Sequence, residues 1–228
     1  TNYKGKTLES YMINPGIYTP RFLITSNKSW QSLAKSIYQS LEPYIAVTPS
    51  VRTLAKKIAG NSTGEAAAKK VYNWVAQNIT YVWVGLINKQ GKSSDLLNPN
   101  YAAIIIKHGY GDCKDHAALF ITLCHALGIK ANIALIDWGA DFEHYKLPSG
   151  NYFDHFIAYL PTYKKFLNPT DTTQSFERID HGIQDHDVLL LANNGGILRT
   201  PTQDYRKNIY AVSDSVTISK DQHSKLVL

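Results

Sequence analysis

Three residue types that act together in nucleophilic catalysis occur in the order cysteine, histidine, asparagine: Cys113, His155 and Asn168. A cysteine nucleophile needs a base that takes its proton and a third group that orients this base. Cys113 opens a stretch with helical periodicity, and a thiol at a helix N-terminus meets unpaired backbone N–H groups and the positive end of the macrodipole. Both favour the nucleophilic thiolate, so the sequence predicts a cysteine suited to chemistry. The alternative is a cysteine that only packs, because free cysteines are among the most buried residues.

The base and its orienting group are predicted on two successive strands. His155 lies in FDHFIAYL (153–160), which alternates with period two. On its own, a histidine on an apolar strand is more often a hydrogen-bonded structural residue. The next strand offers two orienting groups, Asn168 and Asp171. Since side chains alternate between faces and these two positions differ by an odd step, regular strand allows only one of them beside the histidine.

The hairpin between these strands decides which group is favoured. A two-residue loop at 161–162 would pair Leu160 with Tyr163, and therefore His155 with Asn168. The shortest hairpin therefore predicts a catalytic triad of Cys113, His155 and Asn168.

Three motifs resemble those of a known family. GDCKDHA around Cys113, FDHFIAY around His155 and FLNPTDTT around Asn168 are similar to the motifs of the transglutaminase-like superfamily, which has a papain-like fold. The likeness covers roughly residues 29–200 and is nearest to the bacterial branch in which this domain follows a β-rich domain. The resemblance implies that Cys113 is the nucleophile and that His155 is the general base and acid.

The third motif departs from the family pattern. The usual Leu-Asp-x-Thr reads Leu-Asn-Pro-Thr at 167–170, so Asn168 replaces an aspartate. An asparagine can accept a hydrogen bond from the imidazole, as in the Cys-His-Asn arrangement of papain-like proteases. It cannot stabilise the imidazolium as a carboxylate would, so lower activity or a role for Asp171 stays open.

Acyl transfer also needs donors for the oxyanion. The backbone N–H of Cys113 is one candidate. Family members often carry a donor side chain, frequently a tryptophan, about a dozen residues before the cysteine, which makes Tyr101 the candidate here. The alternative is a packed aromatic residue.

A metal site is not expected. Histidines and cysteines cluster between His108 and His125, but no C-x2-C pair completes four ligands. Cys113 and Cys124 lie about 16 Å apart if both are on one helix, at 1.5 Å per residue, so both should be free thiols. No cofactor is predicted.

Composition limits the classes of partner. The chain has 228 residues and a net charge of +6, but its basic residues are scattered in pairs without a nucleic-acid motif. No apolar run approaches the roughly 20 residues of a membrane-spanning helix. The resemblance to the transglutaminase-like superfamily implies a protein or peptide substrate.

The order of predicted elements indicates an α+β fold, with helices first and an antiparallel sheet second. Helices are predicted at 30–41, 48–60, 66–79 (after a Ser62–Glu65 capping box) and from 113 to Gly128. Strands are predicted at 80–85, 131–138, 153–160 and 164–168, with a loop at 139–152 and a late β-like run at 208–218.

Residues 29–180 are predicted to form the catalytic domain. Residues 1–28 read as an extended lead-in and residues 181–228 as an extension, both junctions to neighbouring β domains of a longer parent chain. The resemblance implies export to the bacterial periplasm or cell envelope. Two functions are open: a thiol enzyme acting on peptide or glutamine-type amides by hydrolysis or cross-linking, and a weakly active or inactive fold that serves as a binding or scaffolding module.

Overall fold

The computed structural model describes residues 24–82, 97–138, 147–204, 206, 215–218 and 224–227. Helices come first and an antiparallel sheet follows, which confirms the predicted α+β class. Residues 1–23 of the predicted lead-in (1–28), residues 139–146 of the predicted loop (139–152) and residues 208–214 of the predicted β-like run (208–218) lie outside the described residues. Within the described ranges, no helix is long and apolar enough to cross a membrane.

In the described part of the chain, five α-helices precede or flank the sheet, and local capping sets the start of several of them. Ser29 and Ser32 form a capping box at the start of α1, and Thr48 with Pro49 starts α2. The helices are α1 (Trp30–Leu41), α2 (Pro49–Ala59), α3 (Gly64–Asn78), α4 (Ala102–His108) and α5 (Cys113–Ala126).

The predicted capping box at the start of α3 is wrong. The helix begins at Gly64, its N-cap is Thr63, and no side chain caps it. Ser62 therefore lies outside the cap position. Glu65 lies in the first turn, where its negative charge interacts favourably with the positive end of the helix dipole.

The main sheet has five strands in the spatial order β5-β4-β3-β6-β7. All its pairs are antiparallel, with His155 of β4 opposite Ile136 of β3. The strands are β3 (Asn132–Ile136), β4 (His155–Leu160), β5 (Lys165–Leu167), β6 (Asp187–Leu190) and β7 (Gly196–Arg199). The sheet thus extends past residue 180, the boundary expected from the sequence.

Two smaller ladders complete the described strands. β1 (Thr80–Tyr81) pairs in parallel with β2 (Tyr110–Gly111), and β8 (Ser215–Ile218) pairs with β9 (Ser224–Val227). Of the strand predicted at 80–85, the described residues 80 and 81 are strand and residue 82 is not; residues 83–96, including Trp83, lie outside the described part of the chain.

The predicted register of the β4–β5 hairpin is wrong by two residues. Leu160 pairs with Lys165, not with Tyr163, because the loop has four residues, 161–164. Two overlapping turns close it, with Tyr163 N–H donating to Leu160 O and Lys164 N–H to Pro161 O, and Lys164 takes a φ of 52°. Since the error is an even step, Asn168 stays on the same face as His155.

The centre of the molecule is α5. Every residue from Asp115 to Cys124 is buried, as in a helix surrounded by protein. It contacts α2, α3 and α4 on one side and β3 and β4 on the other. Substituting a leucine such as Leu119 by alanine here would cost about 2–5 kcal/mol. The start of α5, and with it Cys113, is therefore fixed against the sheet.

Candidate active site

The start of α5 is held by a capping box of two carboxylates. Asp112 is the N-cap and accepts from the Asp115 N–H, while Asp115 accepts in return from the Asp112 N–H, both at 3.3 Å. Asp115 is 1% exposed and also accepts from the backbone N–H of Asn100 at 2.6 Å. These bonds satisfy backbone donors at the helix end. Cys113 is consequently fixed as the first residue of α5.

The thiol of Cys113 is not a preformed thiolate, contrary to the expectation from its helix position. Burial and the Asp112 carboxylate raise its pKa to about 11. The backbone N–H groups of Phe156 and Lys114 and the Lys114 charge act in the opposite direction. The helix-end effect is thus present, but burial outweighs it.

The same interactions locate the sulfur. The Phe156 N–H lies close enough to the Cys113 sulfur to lower its pKa, and His155 is the neighbour of Phe156 at the start of β4. The structure therefore brings the predicted nucleophile and the predicted base to the same edge between α5 and β4.

His155 is bound to Asn168. Their atoms Nε2 and Oδ1 lie 3.0 Å apart, and the two side chains are 3% and 2% exposed. When Oδ1 is the acceptor, Nε2 must carry the proton and Nδ1 is left with its lone pair. The pair predicted from strand parity is thus formed, although the predicted register is not.

Both polar side-chain atoms of Asn168 and its backbone carbonyl have hydrogen-bond partners. Its Oδ1 also accepts from the Thr170 hydroxyl at 2.7 Å, and its Nδ2 donates to Oδ2 of Asp180 at 2.8 Å. Its backbone carbonyl accepts from the Tyr72 hydroxyl at 2.8 Å. A buried amide with all its groups paired keeps a single orientation.

Burial lowers the pKa of His155 from its ordinary value. Asn168 and the carboxylates of Asp154, Asp180 and Asp112 act in the opposite direction but are smaller influences. Burial thus favours the neutral forms of both the Cys113 thiol and the His155 imidazole.

Trp138 contributes to the site, although sequence reasoning gave it no role. Its indole stacks on the His155 ring, with centroids 4.6 Å apart and planes inclined by 29°. The backbone N–H of Trp138 donates to Oδ1 of Asp154 at 2.8 Å, and this bond holds the Trp138 backbone beside β4. The sequence could have indicated this role, because Trp138 ends the predicted strand 131–138 and the next predicted strand carries His155.

Asp171, the alternative orienting group, binds elsewhere. Its Oδ1 accepts from the backbone N–H and the hydroxyl of Thr173, both at 2.7 Å. These bonds hold the pKa of its carboxyl below the usual value, against the opposing effect of burial. The carboxylate serves a local turn, and the group on the His155 imidazole is Asn168.

Tyr101 is the N-cap of α4, is half-exposed and stacks on Tyr44 with centroids 4.9 Å apart. Its role as an oxyanion donor stays a prediction.

A second tyrosine, Tyr81, which the sequence analysis missed, lies on the strand that pairs with the residues leading into Cys113. Burial raises the pKa of Tyr81 to about 12, with further contributions from Cys113, Asp112 and Asp154. β1 carries Tyr81 there because its parallel partner β2 runs directly into Asp112 and Cys113. The residues that pair with β2 could not be identified before the register was known.

The histidines near Cys113 bind backbone carbonyls. The ring nitrogens of His116 lie 2.9 Å from Asp112 O and 3.0 Å from Ile79 O. The described part of the chain contains no group of three or more His, Cys, Asp or Glu side chains arranged to hold a metal ion.

A surface cavity of the described part of the chain lies away from this site. It measures about 620 Å³ and lies between β5 and the segments around Arg178 and Gln203. Neither Cys113, His155 nor Asn168 lines it, so the candidate site is identified by its chemistry and not by cavity size.

A family model matches part of the chain. Residues 52–152 match the model described as the transglutaminase-like superfamily. The match contains α5 and Cys113 and ends three residues before His155. A search of curated proteins finds no match.

Two solved structures resemble this one. The first, a "putative protease" from Parabacteroides distasonis ATCC 8503, has a TM-score of 0.52 and 11% identity, over 78% of this chain and 32% of that chain. The second, a "putative cysteine protease" from Cytophaga hutchinsonii, has a TM-score of 0.38 and 24% identity, over 57% of this chain and 42% of that chain. The first comparison shows the fold, and this chain spans less than half the length of either neighbour.

Proposed function

Because residues 52–152 match the model of the transglutaminase-like superfamily, we propose that this chain is a cysteine-dependent enzyme that transfers acyl groups from peptide or glutamine-type amides. The proposal is supported by two contacts that involve neighbouring residues of β4. Cys113 starts a buried helix, its sulfur lies by the Phe156 N–H, and the adjacent His155 is bound to Asn168.

In the proposed first step, Nδ1 of His155 takes the proton of the Cys113 thiol as the sulfur attacks the amide carbonyl carbon. The Nε2–H bond to Asn168 Oδ1 leaves Nδ1 as the free base. A neutral thiol and a neutral imidazole suit a proton transfer that accompanies attack, rather than a standing ion pair.

The tetrahedral intermediate carries a negative oxygen that needs hydrogen-bond donors. The backbone N–H of Cys113 is one proposed donor. The phenol of Tyr81 is favoured as the second because β1 pairs with the strand that leads into Cys113 and because the raised pKa of Tyr81 keeps it protonated. Tyr101 is the alternative donor suggested by the sequence.

The intermediate then collapses. Nδ1–H of His155 protonates the leaving amine, the C–N bond breaks, and the acyl group remains on Cys113 as a thioester. Water attacking the thioester gives a carboxylic acid, and a primary amine gives a new amide; each restores the free thiol. The acceptor therefore decides between hydrolysis and cross-linking.

The proposal is tested by mass spectrometry of a peptide library incubated with the protein, with and without a primary amine. We expect cleaved or deamidated peptides without amine, and amine-coupled peptides if the enzyme cross-links. Cys113→Ser should lose all product, whereas Cys124→Ala, a change at the buried cysteine of the same helix, should keep it. Equal product from wild type and Cys113→Ser would refute the proposal.

A binding or scaffolding role is the second candidate. The raised pKa of Cys113 and the asparagine at the third position favour it. Iodoacetamide labelling separates the two: a scaffold has no need of His155, so His155→Gln should leave the Cys113 rate unchanged. In an enzyme that variant should slow labelling severalfold at about pH 7, because the imidazole assists loss of the thiol proton.

A further inference from the structure

A buried carboxylate, Asp180, stands directly behind Asn168. It is 5% exposed, and its Oδ2 accepts from Asn168 Nδ2 at 2.8 Å. Its Oδ1 accepts from the Gly182 N–H at 2.9 Å and caps a single 3₁₀ turn, His181–Ile183. The reaction steps above make no use of this carboxylate.

The chemistry of a carboxylate fixes the orientation of the amide. An ionised carboxylate accepts hydrogen bonds but has none to donate, so the Asn168 NH₂ group must face Asp180 and Oδ1 must face His155. The Thr170 hydroxyl, which also contacts Oδ1, can donate or accept and does not decide the orientation. Only Asp180 makes the two ends of the amide unequal.

The amide orientation in turn decides the state of the imidazole. With Oδ1 towards it, Nε2 is protonated and Nδ1 is a base. With the amide reversed, the NH₂ group would face Nε2 and force the proton onto Nδ1, which could then take no proton from a thiol.

We propose that Asp180 is a positioning residue that acts through the Asn168 amide to hold His155 as the Nε2–H tautomer and to supply the negative charge that Asn168 lacks. Its value for catalysis rests on the proposed function, whereas its effect on the tautomer does not. The groups around the His155 ring are Asn168, the stacked Trp138 and the carboxylates of Asp154 and Asp112. None of the others touches the NH₂ end of Asn168 among the described contacts.

Further support comes from the charge of Asp180, which raises the pKa of His155 against the lowering effect of burial. The carboxylate thus favours the imidazolium that forms during acyl transfer, as the carboxylate of a triad does.

The test is the tautomer of His155, read from ring ¹⁵N shifts of protein labelled in histidine, with the signal assigned by its loss in His155→Gln. Asp180→Asn keeps the size of the side chain and the cap on Gly182, because asparagine caps as well as aspartate. The control is Asp185→Asn, an exposed residue with a φ of 55° that asparagine tolerates. We expect the Nε2–H form in wild type and in the control, and a mixture of both tautomers in Asp180→Asn.

A wild-type Nδ1–H tautomer, or an unchanged Nε2–H tautomer in Asp180→Asn, would overturn the proposal. If Asp180→Asn does not fold, Asp180→Ser replaces it, because serine is neutral and can also cap the Gly182 N–H. An unchanged Nε2–H tautomer in that variant would equally overturn the proposal. If wild type has activity, we expect kcat to fall at least about tenfold in Asp180→Asn with KM unchanged, and the Asp185→Asn control to match wild type. If wild type has no activity, the proposed function fails while the tautomer result still decides the role of Asp180.

Discussion

The indole of Trp138 stacks on the imidazole of His155, with ring centroids 4.6 Å apart. The indole is 46% exposed, so it separates a buried imidazole from solvent on that side. Behind it lies Gly182, where an added Cβ would meet the indole Nε1 at 2.4 Å. The absence of a side chain at position 182 is therefore a condition for the stacking.

Gly182→Ala should displace the indole from His155. The backbone at 182 does not require glycine, and a tryptophan ring near the surface can move aside, so the protein should fold. Gly150→Ala is a matched control, because an added Cβ at 150, in the turn before β4, meets nothing within 4 Å. In Gly182→Ala we expect His155 to quench the fluorescence of Trp138 less, and we expect a severalfold loss of activity. Gly150→Ala should show neither change. Equal activity of the two variants would show that the stacking has no role in catalysis.

The titration of His155 should follow its burial. Since burial lowers its pKa below the ordinary 6.5, an NMR titration should find a midpoint below that value. Trp138→Ala admits water and should move the midpoint upwards. Below about pH 6.5 the unfolded chain binds a proton at His155 that the folded chain does not, so His155 lowers stability as pH falls towards its folded pKa.

The effect of the lowered His155 pKa on stability can be measured separately. Between pH 7.5 and 5.5, the free energy of unfolding in urea should decrease more in wild type than in His155→Gln. A midpoint at or above 6.5, or identical pH dependence of the two proteins, would contradict the expectation.

Asp112→Asn should make Cys113 more reactive. Asparagine caps α5 as well as aspartate, but it removes the negative charge that raises the thiol pKa towards 11. Lys114, which pairs with Asp112, is then free to act on the thiolate. We expect faster iodoacetamide labelling of Cys113 at about pH 8, with the midpoint of its pH dependence lowered. Cys124, whose pKa is raised by burial alone, serves as the internal control and should stay unreactive.

The sequence predicted the elements around the site because their signals are local. The helical pattern from Cys113, the strand pattern at 153–160 and the stop at Gly128 depend on near neighbours, and the structure has a helix, a strand and a glycine with a φ of 73° at these places. The burial of α5 on all sides and of both faces of β4 comes from tertiary packing. The hairpin register failed because loop length is not fixed by Pro161 and Thr162 alone; Lys164 adopts a left-handed conformation that a shortest-loop assumption omits.

The remaining parts of the site depend on long-range contacts. Tyr81 reaches Cys113 through a parallel ladder with residues 110–111, and Asp180 meets Asn168 from across twelve residues of turns. The thiol pKa failed as a prediction for a related reason. The helix end was visible in the sequence, but the depth of burial that outweighs it depends on packing against β4.

Alanine substitution should have a large effect at Asn168 and a small effect at Asp171. Asn168→Ala removes the acceptor of His155 and leaves the buried Asp180 carboxylate without its amide partner, which should cost about 2–3 kcal/mol of stability and at least about a hundredfold in kcat. Asp171→Ala removes only the bonds of a partly exposed turn with Thr173 and should cost less than about 1 kcal/mol with activity unchanged. Urea unfolding and product formation from the peptide library measure both quantities on the same samples. Full activity in Asn168→Ala together with a large loss in Asp171→Ala would reverse the assignment, because the carboxylate would then have to reach His155 in a conformation different from the one described.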